Sequence, residues 1–383
     1  MKKRESEIEL KDLARQFKCV AVIGPRQSGK TTLVTKVFKN KTYVNLENPD
    51  IRRFAIEDPR GFLSNYYDGA VIDEVQRVPE LFSYLQEILD SKKETGQFIL
   101  TGSNNFLLQE NISQSLAGRV GYLILLPLTT EEINEKGSGI NEMLFRGCYP
   151  ALFGENVSPD KYYTNYIRTY VERDVRLIKN ITNLYLFERF LRLCAGRIGQ
   201  LLNMNSLALE VGVDNKTIGA WLGVLEVSFI VFRLRPYHKN FNKRIVKTSK
   251  LYFYDTGLAL SLLGVENAEQ LAFHPLRGSL FENYVIIDFL KRRYNKGKQN
   301  NLFFWRDNTG NEIDLLLEFG DKLIPIEIKS GQTVVSDFLK GIQFWNKLTQ
   351  SEGGYVVYGG ESMQKRSNGI NMIPFNDTKL IDV

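Results

Sequence analysis

Short apolar runs alternate with polar, helix-patterned stretches through about the first third of the chain. Five of the runs, Cys19–Ile23, Thr42–Leu46, Ala70–Val75, Gln97–Thr101 and Val120–Leu126, have strand length. Helical or loop segments separate them, a βα alternation that predicts a parallel sheet. The pattern then turns helical, from Tyr162 to about Lys179 and from Leu184 to about Cys194. Ser206–Val213 reads as a further helix, followed across a glycine-containing turn by another that Asp214 caps. Two strand-like runs, Ser228–Leu234 and Leu251–Asp255, close this middle stretch. The last third opens on an amphipathic helix from Gly278 to about Arg293. Strands at Leu302–Arg306, Glu312–Phe319 and Lys322–Lys329, a helix around Ser336–Leu348 and a strand at Tyr355–Tyr358 give an α-β-β-β-α-β order. An α/β multidomain chain is expected, divided at 1–155, 156–260 and 261–383.

The loop behind the first strand carries the clearest chemistry. Residues 24–31 read GPRQSGKT, a complete phosphate-binding loop of Gly24, Pro25, Arg26, Gln27, Ser28, Gly29, Lys30 and Thr31, with Thr32 adding a second hydroxyl. Gly24 and Gly29 let the backbone curl so that successive N–H groups face phosphate oxygens. The N-terminus of the following helix adds positive potential. Lys30 is expected to reach the β- and γ-phosphates of ATP, and Thr31 to hold Mg²⁺. The strand Ala70-Val71-Ile72 ends in Asp73 and Glu74, which places Asp73 on the metal and Glu74 on the attacking water. The bland alternative is a strand that exits into solvent with acidic residues. The fourth strand ends in Thr101-Gly102-Ser103-Asn104, at the edge where ligands of such sheets bind, so Ser103 or Asn104 is a candidate contact to the γ-phosphate.

This strand order resembles an AAA+-type ATPase. The resemblance implies that Arg119, in SLAGRV directly before the fifth strand, is an arginine finger acting on the nucleotide of a neighbouring subunit, and hence a homo-oligomer. A surface arginine or a role within its own subunit are the alternatives.

Charge sharpens the view of the middle. The chain has 383 residues and a net charge of +6, yet Asp160–Asp255 alone holds 16 Lys/Arg against 8 Asp/Glu. That asymmetry points to an anionic partner, with DNA the first candidate. Two helices around a turn followed by a basic hairpin have the composition of a winged helix. Lys216 and Thr217 would open the recognition helix, while Lys239, Lys243, Arg244 and Lys247 (with Lys250 close by) would meet phosphates. Arg168, Arg173 and Arg176 are spaced for helix faces and are candidates for a second nucleotide sensor or an interface, with a solvated charged face the plainer account of each. A winged helix also serves as a protein-docking module.

In the C-terminal third, Asp314 precedes Glu327-Ile328-Lys329 by thirteen residues. Residues two apart on a strand face one side, so Glu327 and Lys329 project together. Asp314 on the adjacent strand can join Glu327 in holding a hard cation, Lys329 can activate a metal-bound water, and Glu282 on the helix can complete the shell. This arrangement resembles the PD-(D/E)XK nuclease fold, a restriction-endonuclease-like α/β domain, although Ile313 stands where that motif has proline. The alternative is a cross-strand salt bridge in a fold without activity.

GPRQSGKTT, VIDEVQ, LTGSN, SLAGR, FRGCYP, YVERD, YFYDTGL, GSLFEN, EID and EIKSG together resemble a widespread bacterial and archaeal family of predicted ATPases. The resemblance implies an AAA+-like domain, a winged helix and a nuclease-like domain in one chain. The expected activity is Mg²⁺-dependent ATP hydrolysis that regulates a DNA-binding module, with DNA cleavage by that module as the further expectation. The competing expectation is a switch that grips DNA or protein without cutting. Cys19, Cys148 and Cys194 are dispersed, and with only His238 and His274 they cannot build a zinc site. The charged start MKKRESEIEL and the lack of any apolar run of about 20 residues predict a cytoplasmic protein off the membrane.

Overall fold

The computed structural model describes residues 2–102, 108, 111–112, 114–135, 137, 139–154, 156–171, 183–238 and 246–383. Five strands, β1 (Cys19–Ile23), β2 (Thr42–Asn45), β3 (Ala70–Asp73), β4 (Phe98–Thr101) and β5 (Val120–Ile124), form one sheet in the order β2-β3-β4-β1-β5. Every pairing in it is parallel. Strands β1, β3 and β4 are buried along their whole length. Continuous Val/Ile/Leu runs are what a parallel sheet covered on both faces demands.

The middle segment supplies helices at Pro159–Tyr166, Leu184–Ala195, Met204–Val211 and Asn215–Val227. Gly212, at φ +88°, ends the third, and the Asp214 carboxylate accepts from the Thr217 amide at 2.8 Å to start the fourth. A helix–turn–helix is therefore present, followed by an antiparallel pair, β6 (Val231–Pro236) and β7 (Lys250–Phe253).

That pair does not stand apart as a wing. β6 also runs parallel to β8 (Leu302–Arg306), so the hairpin forms one edge of an eight-stranded sheet. The others are β9 (Glu312–Phe319), β10 (Lys322–Lys329), β11 (Gly354–Tyr358), β12 (Gln364–Lys365) and β13 (Ile370–Pro374), in the order β12-β13-β11-β10-β9-β8-β6-β7. Hydrogen bonding thus runs unbroken across the division expected at residue 260. The helix Arg277–Asn295 packs against both β7 and β10. Its nearly all-round burial explains why amphipathicity describes it poorly.

A buried polar joint ties the first two segments together. Asp255 caps the helix Thr256–Leu262, accepts from the Cys148 amide at 2.8 Å and takes the Tyr163 hydroxyl at 2.6 Å. A β-carbon on Gly147, whose φ is +68°, would sit 2.1 Å from the Tyr163 oxygen. The FRGCYP and YDTGL stretches are therefore two halves of one contact. All three cysteines are buried free thiols, and burial pushes the Cys148 thiol up to about 11.

Candidate functional site

The phosphate loop leaves the carboxyl end of β1. Gly24 has φ +148°, and a β-carbon there would lie 2.1 Å from the Leu125 carbonyl oxygen, so only glycine fits beside β5. Gly29 has φ +92° and directly precedes the helix Lys30–Val37. The Lys30 ammonium donates to the carbonyls of Gly24 (2.9 Å) and Pro25 (2.7 Å), inside the curl of the loop. The Thr31 hydroxyl donates to Asp73 Oδ2 at 2.9 Å. Asp73 also accepts from the Tyr43 hydroxyl at 2.8 Å and from the Thr101 hydroxyl. Burial, and then the Asp73 carboxylate, push the Tyr43 phenol well above its ordinary range. Carboxylate and threonine, 42 residues apart in sequence, therefore meet at one point.

Thr31 and Asp73 offer hard oxygen donors beside the loop, and this fits Mg²⁺ bound jointly with nucleotide phosphates, which needs few protein ligands. Glu74 follows in a left-handed conformation at φ +56°, unusual for a residue with a side chain. Its carboxylate accepts from Gln76 Nε2 at 2.6 Å, while Gln76 itself packs against Gly102 at the end of β4. Arg26, Gln27, Lys30, Thr31, Thr32, Asp73 and Glu74 line one cavity of about 790 Å³, of ligand-site size. Asn104 and Ser103 lie outside the described residues.

The far wall of this cavity was not legible in the sequence. It includes Lys2, Arg4 and Glu7 from the N-terminal arm, Pro150 at the end of the FRGCYP stretch, and Ala151, Phe153 and Gly154 directly after it. Arg4 is buried behind the loop. Its guanidinium donates to the Ser28 carbonyl (2.8 Å), the Leu126 carbonyl (2.6 Å) and Glu132 (3.0 Å). A charged N-terminus carries no periodic signal, and Glu132 is remote in sequence.

Next to it, burial and then the Glu132 carboxylate push the Glu5 carboxyl up to about 7. The unfolded chain loses that proton near 4.5, the folded chain only near 7. Between the two the folded state holds the extra proton, so stability falls as pH rises through this window and is level above it. Glu5→Gln removes the fall. Its melting temperature is expected to match that of the parent near pH 4.5 and to exceed it by a few degrees near pH 8, as differential scanning fluorimetry would read. An equal difference at both pH values would sink this assignment.

Arg119 sits at the amino end of β5, where its carbonyl accepts from the Cys19 amide at 3.2 Å. The phosphate loop leaves the opposite end of β1, a strand length away, or roughly 17 Å. The geometry removes a role for Arg119 at its own subunit's nucleotide. Its guanidinium forms a two-pronged pair with Asp90, at 2.6 and 2.8 Å.

Of the residues expected at nucleic acid, Lys216 and Lys247 are exposed. Thr217 is engaged through amide and hydroxyl with Asp214, which makes it part of a helix cap. Lys239, Lys243, Arg244, Arg173 and Arg176 lie outside the described residues. Lys250 is not on a basic surface: it is 4% exposed and faces the C-terminal sheet.

There the expected Asp314, Glu327, Lys329 and Glu282 do come together. Lys329 Nζ lies 2.9 Å from Asp314 Oδ2 and 2.5 Å from Glu327 Oε2. The Ile328 amide donates to Asp314 at 2.8 Å. Lys250 Nζ pairs with Glu282 Oε1 at 3.0 Å and with Glu312, and the Tyr252 hydroxyl donates to Glu282. Burial alone raises a carboxyl, but Lys329, Lys250 and the Ile328 amide outweigh it and hold Asp314 below its usual value. Burial, with Asp314 alongside, pushes Glu327 well up. Among the described residues no three His, Cys, Asp or Glu side chains are placed to hold a metal ion. Asp314 and Glu327, the residues expected at a metal, are both paired with the Lys329 ammonium.

A parallel β2-β3-β4-β1-β5 sheet with a phosphate loop on its central region defines a P-loop ATPase-type domain, and residues 16–134 match a family model described as an AAA domain. Residues 138–269 and 277–378 match two models described as domains of unknown function, DUF8612 and DUF4143. Uncharacterized proteins of Mycobacterium tuberculosis and Mycobacterium bovis are each 31% identical over 380 residues, covering 98% of this chain and 84% of theirs; the chain belongs to their family. A more distant relative is an uncharacterized protein of Methanocaldococcus jannaschii, 22% identical over 96% of this chain and 89% of its own length. Among solved structures, a Walker-type ATPase of Pyrococcus abyssi is 15% identical with a TM-score of 0.40, covering 67% of this chain and 94% of that one. Thermotoga maritima RuvB is 16% identical with a TM-score of 0.28, over 61% and 90%. Likeness at that level carries no detail of mechanism. No helix among the described residues is long and apolar enough to cross a membrane.

Proposed function

We propose that the chain is a Mg²⁺-dependent ATP hydrolase whose nucleotide cycle controls how its middle and C-terminal segments hold a partner, with DNA the first candidate. The observation that carries the ATPase is the Thr31–Asp73 contact at 2.9 Å beside a complete phosphate loop. Backbone N–H groups and Lys30 would receive the phosphates, and Thr31 and Asp73 would hold Mg²⁺, which neutralises charge on the phosphates when bound. Glu74, oriented by Gln76, would take the proton of the attacking water. Arg119 would serve a neighbouring subunit after release from Asp90, in a homo-oligomer. DNA is supported by the basic balance of residues 160–255 and by the helix–turn–helix there.

Whether Glu282, Asp314, Glu327 and Lys329 cut DNA or help only to grip it separates two versions of this function. Closure of the carboxylates onto Lys250 and Lys329 favours the version without cleavage. The test is plasmid with Mg²⁺, with and without ATP, beside Asp314→Ala and Lys30→Ala proteins. ATP turnover that rises with DNA and vanishes in Lys30→Ala, with intact plasmid throughout, is the expected result. Cleavage that disappears in Asp314→Ala would establish a nuclease, and turnover indifferent to DNA would remove DNA as the partner.

A further inference from the structure

The C-terminal cluster holds more positive charge than a metal-dependent hydrolytic centre needs. Four carboxylates converge: Glu282 from the long helix, Glu312 and Asp314 from β9, and Glu327 from β10. Three cations face them. Lys329 bridges Asp314 and Glu327, Lys250 bridges Glu282 and Glu312, and Arg306 stands 3.1 Å from Glu312. Four negative charges against three positive ones leave a net charge near −1 before any proton is counted, and a divalent ion would drive the buried cluster to net positive. Charges removed from water are tolerated only when paired, and here the pairing is already complete. Lys250 is the decisive member, because it is buried and comes from β7, outside the strands that carry the carboxylates.

We infer that the Lys250 ammonium is the resident cation on the Glu282–Glu312 side of this cluster, as Lys329 is between Asp314 and Glu327, and that the cluster is a metal-free lock between the β6–β7 hairpin and the rest of the sheet. The inference is independent of the ATPase reading, since it concerns the opposite end of the chain and can be tested without nucleotide. It also gives the Tyr252 hydroxyl a role: two residues along β7 from Lys250, it donates to the same Glu282 carboxylate and holds it toward the hairpin.

The experiment is a Mn²⁺ titration of the nucleotide-free full chain, read by the loss of the free-ion electron paramagnetic resonance signal. The parent protein and Asp314→Asn are expected to bind Mn²⁺ indistinguishably, because the cluster takes none. Lys250→Ala is expected to gain one site at least tenfold tighter than any in the parent, lost again in Lys250→Ala/Asp314→Asn. Two results overturn the inference: parent binding that Asp314→Asn or Glu282→Gln weakens tenfold, or a folded Lys250→Ala chain that gains no site. Should Lys250→Ala fail to fold, the comparison of the parent with Asp314→Asn and Glu282→Gln decides alone.

Discussion

Glu74→Gln is expected to bind ATP with near-parental affinity and to turn it over slower by a factor on the order of 10²–10⁴, the usual loss on removing a general base. The amide keeps the shape of the side chain but cannot accept a proton from water. Loop, Lys30 and the Thr31–Asp73 pair are untouched, so binding survives. The contact from Gln76 can persist, since the amide oxygen of the new side chain also accepts. The decisive measurement is paired: fluorescent nucleotide binding and single-turnover hydrolysis on the same preparation. Parental turnover in Glu74→Gln would leave the water without its assigned base, and the left-handed backbone at this residue without a catalytic explanation.

Arg4→Ala has the second large effect, and it falls on stability. Three acceptors lose the guanidinium at once: the Ser28 and Leu126 carbonyls and the Glu132 carboxylate, which keeps the Glu5 and Thr129 amides close by. Glu132 is only 6% exposed, so its charge would be stranded; breaking such a buried pair costs about 3–5 kcal/mol. The capping box between Thr129 and Glu132 keeps the helix start in place, which confines the damage to the arm and the back of the phosphate loop. A fall of several degrees in melting temperature is expected, together with weaker nucleotide binding because the Ser28 peptide is no longer braced. Arg4→Lys should recover little, as one ammonium cannot reach three acceptors in a fixed fork. A parental melting curve for Arg4→Ala would show that the arm contributes nothing to the fold.

Both residues bear on what a sequence can convey. Glu74 was legible because its signal is local: an apolar strand, two carboxylates and a phosphate loop upstream. The same locality made β1, β8, β9 and β10 readable to the residue. Arg4 was not legible, because its meaning lies in Glu132 and in carbonyls that only the folded loop brings near. Lys250 was misread for a related reason: it belongs to a run of basic residues that looks like a solvated wing, and nothing in that run shows one side chain turning inward toward Glu282. Strands β12 and β13 were missed because one has two residues and the other mixes polar with apolar positions. The hairpin's attachment to β8 went unseen since parallel pairing across more than sixty residues leaves no periodic trace.

That attachment bears on how the protein can be taken apart. Removing the hairpin would bare the backbone donors and acceptors of β8, an open edge that invites pairing with another chain. Keeping it without β8 would strand Lys250 away from its carboxylates. The middle and C-terminal segments therefore share one sheet, and a break near residue 260 would yield two sticky halves.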